Sequence, residues 1–150
     1  MEKPRLLKRN IESTVSYTSA PAGGSIDTMT AACVSELMNA STSFHKLHLK
    51  VTGVGSFAAH KALNDLYDAL VDHADNLAEG YQGAAEKLLT YSESSPKTLN
   101  SVDEGLNYIR EIINMVTGLQ YKMPYSEIVN ELDTVKSSLN SAKYKLKFLK

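Results

Sequence analysis

Apolar residues recur at steps of three and four along most of this chain, and they do so in four separate stretches. The first runs from about Asp27 to Lys50, with Cys33, Leu37, Phe44, His48 and Val51 on one face and Gly53 where a helix C-cap would stop it. A second, long pattern runs from about Ser56 to Leu88, with Leu63, Leu66, Leu70, Ala74, Leu77 and Tyr81 as its buried stripe. The third opens at Ser101 with Glu104 three residues on, the spacing of a capping box, and continues through Val102, Leu106, Ile109, Ile113 and Val116. The fourth starts near Pro124, a residue suited to the first helical position, and steps through Ile128, Leu132, Val135, Leu139, Ala142, Leu146 and Leu149. No stretch alternates as a strand does.

Four amphipathic helices of this length predict an all-α fold, a four-helix bundle over 26–150. Two of the connections, Thr52–Gly55 and about Tyr121–Met123, are short and therefore join antiparallel neighbours. The middle one, 89–100, is polar, Ser-rich and contains Pro96. About 12 extended residues span roughly 40 Å, enough to cross the bundle from one end to the other. Such a crossover is what a ferritin-like helix order requires; a simple up-down bundle is the alternative. Residues 11–25 are rich in Ser, Thr, Ala, Pro and Gly, so 1–25 reads as a flexible N-terminal arm.

Composition narrows the setting. With 150 residues, 43% of them hydrophobic and 22% charged, the chain suits one soluble domain. No window approaches the ~20 apolar residues that span a bilayer, and the basic Met1–Asn10 lacks the apolar segment of a signal peptide. The single Cys33 excludes an internal disulfide and fits a reducing compartment, which points to a cytoplasmic location. The net charge of −1 is unevenly spread. Residues 1–9 carry +3 and residues 136–150 carry +5, which leaves 10–135 at −9. Basic ends on an acidic middle suit non-specific DNA contact or a cationic substrate, or simply lysines placed at a helix C-terminus.

The second helix departs from a plain bundle pattern. Asp65, Asp68, Asp72, Asp75 and Glu79 are three or four apart and share a face, where like charges repel unless solvent or a cation lies beside them. Asp75 and Glu79, one turn apart, can place two carboxylates on one metal. His60 lies at the edge of the apolar stripe near Tyr67, Val71 and Ala78, a border wider than a core needs and therefore a partner surface. His60 and Asp75 are 15 positions apart, roughly 22 Å along a helix, so one chain cannot bring both to one ion. Two antiparallel copies about a twofold can, with His48 approaching His60 from its own subunit. Two imidazoles and two carboxylates suit iron or zinc. The structural alternative is a satisfied histidine beside a solvated acidic face.

At these residues the sequence resembles the Dps mini-ferritins. The resemblance rests on His48, on His60 twelve residues later, and on DHADNLAE from Asp72 to Glu79; it covers 48–79, while the other helices match in length and periodicity. It implies a ferritin-like fold, a ferroxidase and iron-storage activity, an oligomer of twelve subunits, and protection of DNA from oxidative damage. The metal residues it implies are His48 and His60 of one subunit with Asp75 and Glu79 of the next. The family's usual Asp four residues after the second His is Asn64 here, an amide that brings an oxygen but no charge. The Trp common after the first His is Leu49. Divergent ferritin-like chains of this kind also occur in tailed phages. A virion or accessory assembly protein without redox activity is therefore a second expectation, and a DNA-binding shell a third.

Overall fold

The computed structural model describes residues 25–150, and the expected arm, 1–25, lies outside the described residues except for Ser25. Four helices form among the described residues: α1 (Ile26–His48), α2 (Ser56–Ala85), α3 (Val102–Lys122) and α4 (Ser126–Phe148). Each start has a local cause. Ser25 caps α1 by accepting from the Thr28 N–H. Ser101 caps α3 by accepting from the Glu104 N–H, and the Glu104 carboxylate accepts in return from the Asn100 N–H, one residue earlier than a reciprocal capping box would use. α2 has no side-chain cap; its N-cap is Gly55 at φ 81°, a left-handed conformation that glycine adopts without strain.

The boundaries differ from the periodicity at several places. α1 stops at His48 rather than Lys50, and Val51 and Gly53 lie in the following loop. α2 ends at Ala85, where Glu86 turns left-handed at φ 53°. Pro124 precedes α4, whose N-cap is Tyr125. Leu149 lies past the helix and is exposed. On α3 the buried line runs Leu106, Ile109, Ile112, Val116 and Leu119, while Ile113 is only half-buried. The two isoleucines are adjacent, so periodicity alone does not choose between them.

The helices stand in a ring in which α1 touches α2 and α3, and α4 touches α2 and α3. The late part of α1 meets the early part of α3: a Cβ on Gly105 would lie 2.9 Å from a Leu47 methyl and 3.6 Å from the Phe44 ring. The late part of α2 meets the early part of α4 at Gly80 and Ile128, and Lys145 near the end of α4 pairs with Asp65 near the start of α2 at 3.6 Å. Neighbouring helices are thus antiparallel, and α2 and α3 run in the same direction across the bundle.

The segment 86–101 therefore travels the length of the molecule, beside α1. Lys87 pairs with Asp27, Asn39 donates to Ser94, Ser43 donates to the Lys97 carbonyl, and Lys50 donates to the Leu99 carbonyl. One polar cluster fastens it from inside. Tyr108 donates to the buried Glu36 at 2.5 Å, Lys97 pairs with Glu111, and the Lys97 ammonium sits 4.8 Å from the centre of the Tyr108 ring. Burial pushes the Glu36 carboxyl up, against the pull of Tyr108 and Lys97. Cys33 is fully buried in the core, and burial pushes its thiol up to about 12.

Candidate metal centre

The turn between α1 and α2 decides what can be built at that end of the bundle. His48 is the last residue of α1 and is 7% exposed. The chain reverses through residues 49–55 and brings His60, in the second turn of α2, alongside it. The two rings stack with centroids 3.9 Å apart, and their Nε2 atoms are 3.1 Å apart. His60 Nδ1 lies 3.2 Å from the His48 carbonyl oxygen, which can only accept. His60 therefore carries its proton on Nδ1, which leaves its Nε2 lone pair facing His48 Nε2 at hydrogen-bond distance.

The spacing of the two Nε2 atoms is one that two donors to a single ion could share after the stacked rings turn toward it. Two nitrogens 3.1 Å apart, each about 2.1 Å from an ion, subtend an angle of about 95° there. Burial, then the neighbouring His60, holds His48 below the usual imidazole range, so it is neutral and able to donate a lone pair near pH 7. His48 Nδ1 is buried and makes no hydrogen bond of ordinary geometry, although the His45 carbonyl is near enough to favour its protonated form.

Two further aromatic residues belong to the site. His45 stacks on Tyr67 at 3.9 Å with an interplanar angle of 6°, and His48 meets the Tyr67 ring edge-on at 5.2 Å. Sequence reasoning named Tyr67 only as a border residue and passed over His45, whose i, i+3 spacing from His48 places both on one turn. Asn64 is engaged within its own helix: its Oδ1 accepts from the Tyr67 hydroxyl at 2.9 Å and its Nδ2 donates to Asp68 at 3.3 Å.

Asp75 and Glu79 are exposed, one turn apart on α2, and lie roughly 22 Å or more along the helix from His60. Within one chain they do not meet the histidine pair. Among the described residues no three His, Cys, Asp or Glu side chains gather closely enough to hold a metal ion. At 100° per residue, Phe57, His60, Asn64, Val71, Asp75, Ala78 and Glu79 fall within about 100° of one another on α2. Two of these are large exposed apolar residues, Phe57 at 79% and Val71 at 46%. The strip is thus half apolar and half ligand-bearing.

The basic C-terminal segment is the last turns of α4, with Lys145 paired to Asp65 and Lys147 beside the Phe148 ring. The basic residues 1–9 lie outside the described residues. No described helix is long and apolar enough to cross a membrane. The chain belongs to a family of unknown function, DUF5856, which it matches over residues 48–146. That match begins at the first histidine of the pair and covers α2, the crossover, α3 and most of α4. No curated protein and no solved structure matches the chain.

Proposed function

We propose that this member of the DUF5856 family is a ferritin-like, Dps-like iron-binding protein whose metal site is shared between two subunits. The observation that carries the reading is the His48–His60 pair. Its Nε2 atoms are 3.1 Å apart, with the second ring's tautomer set by the His48 carbonyl. In an antiparallel pair of α2 helices about a twofold, Asp75 and Glu79 of a second copy come beside that histidine pair. The mixed strip from Phe57 to Glu79 supplies apolar contact for the pairing. The helix order, with 86–101 running the length of α1, supports the ferritin-like reading, and a twelve-subunit shell is its extension. Fe(II) is the substrate: imidazoles hold it, peroxide or oxygen from solution takes its electron, and the two carboxylates stabilise the Fe(III) that results. Zinc would compete for the same donors. Protection of DNA would add phosphate contacts by the basic residues 1–9 and the end of α4, and these would weaken steeply with salt.

The test is complementation. His60→Ala and Asp75→Ala should each abolish iron-dependent oxidation while leaving the bundle folded, since both side chains are exposed. In a mixed pair the two variants restore one site of two. Random pairing makes about half of the pairs mixed, so roughly a quarter of the wild-type sites should return. No recovery in oligomers verified as mixed sinks the shared site.

A second reading has one observation behind it. Asn64 brings no charge, and its oxygen is already taken by Tyr67. A wild-type protein that assembles but neither binds nor oxidises iron would make this a structural or accessory assembly protein, viral or cellular, that keeps the fold and the twofold contact.

A further inference from the structure

A second histidine is held on the α4 side of α2, 13 positions after His60, which is about 140° round the helix and roughly 20 Å along it. His73 is 7% exposed. Its Nε2 is 2.8 Å from the Ser138 hydroxyl of α4. Its Nδ1 is buried and without a hydrogen-bond partner, and it faces the Glu131 Oε1 of α4 at 3.7 Å. That oxygen is also buried and without a hydrogen-bond partner. At 3.7 Å the two atoms stand at ion-pair distance, the histidine charged only when protonated, but do not hydrogen-bond each other. A folded chain rarely leaves two buried polar atoms face to face without a hydrogen bond.

We propose that His73 and Glu131 form a divalent transition-metal site inside each subunit, joining α2 to α4, with Ser138 as its positioning residue. Their separation favours an ion over a bridging water. An ion about 2.1 Å from both atoms subtends an angle of about 124°, close to trigonal or tetrahedral coordination. A water about 2.8 Å from both would be squeezed to about 83°. With an ion on Nδ1 the proton sits on Nε2 and is donated to the Ser138 hydroxyl, 2.8 Å away, the outer-shell arrangement usual for a metal-bound histidine. One imidazole and one carboxylate select borderline ions such as Zn2+, Fe2+ and Co2+ over Ca2+ or Mg2+. The Glu131 side chain is 26% exposed, so an ion enters from its edge and water completes the coordination. With two protein donors the site is open and exchangeable. It lies within one chain and does not depend on subunit pairing.

Co2+ is the probe, because its visible absorption reports imidazole and carboxylate coordination. The full chain carrying His60→Ala removes the proposed shared site and keeps this one. It should bind one Co2+ per chain and melt at a higher temperature with the ion than without it. Adding Glu131→Gln should weaken binding at least tenfold, and adding Ser138→Ala should weaken it by about 10–100-fold. Both substitutions lie at the half-exposed edge, so the test stands even where His73→Gln fails to fold. A folded His60→Ala chain whose spectrum and melting ignore Co2+ would overturn the proposal and assign the gap to water. Co2+ binding that Glu131→Gln and Ser138→Ala leave unchanged would overturn it equally.

Discussion

Tyr108→Phe is the sharpest probe of how the crossover is fastened. It removes one oxygen. The ring keeps its stacking on Phe44, at 5.4 Å between centroids, and its place under the Lys97 ammonium. What is lost is the hydroxyl's bond to Glu36 Oε1, which at 2.5 Å has the length of an O–H···O⁻ contact. A hydrogen bond to a charged group contributes about 1.5–3 kcal/mol, against about 0.5–1.5 for a neutral pair. Glu36 is 9% exposed, so water replaces the lost donor poorly. The variant should lose about 1.5–3 kcal/mol at pH 7. At roughly 2–4 °C per kcal/mol for a chain of this size, its melting temperature should fall by about 3–12 °C. Urea unfolding with an unchanged slope would show that stability alone has moved. In a Glu36→Gln background the same substitution should cost about 0.5–1.5 kcal/mol, because the charge has gone but an acceptor remains. Equal losses in the two backgrounds would show that the hydroxyl acts on something other than the Glu36 charge, and the account of the cluster would fail.

Two further outcomes follow from the same packing. Burial raises the Glu36 carboxyl above its usual 4.5, while Tyr108 and Lys97 oppose that shift and Glu111 adds to it. The native state then holds the proton at pH values where the unfolded chain has released it, so this group's contribution falls as pH rises through that window. The stability of Glu36→Gln relative to wild type should therefore increase from pH 4 upward, as read by urea midpoints, and a flat difference would refute the shift. Gly118, near the end of α3, has nothing within 4 Å of an added Cβ, so Gly118→Ala should stabilise by about 0.4–1 kcal/mol. Gly105→Ala meets the buried Leu47 methyl at 2.9 Å and should destabilise; thermal melts of the two variants moving in the same direction would contradict this reading of the α1–α3 contact.

How much was legible beforehand depended on distance along the chain. A period of 3.6 is a local property, so Leu63, Leu66, Leu70, Ala74, Leu77 and Tyr81 could be read as one buried stripe, and all six are buried. Ser101 and Glu104 are three apart, and their cap forms, with the Glu104 reach shifted to Asn100. The His48–His60 pairing was readable because a short turn leaves antiparallel helices few ways to meet. Ile112 over Ile113, and helix ends short of Lys50 and Leu88, were not readable, since tertiary contacts rather than propensity choose among neighbouring residues and last turns.

By itself, then, the sequence determined four amphipathic helices, their antiparallel pairs, a middle segment long enough to cross, and a histidine pair beside an acidic helix. Each of these follows from spacing within one helix or across one short loop, or from the length of one connection. Only the tertiary structure decided which helix faces which, that 86–101 lies against α1, and that Glu36 meets Tyr108 from 72 residues away. The same holds for His73, whose partner Ser138 is 65 residues distant. Such pairs carry no periodic signal: their proximity exists only after the α2–α4 and α1–α3 faces have packed, when burial makes an unpaired polar atom costly and gives it chemical meaning.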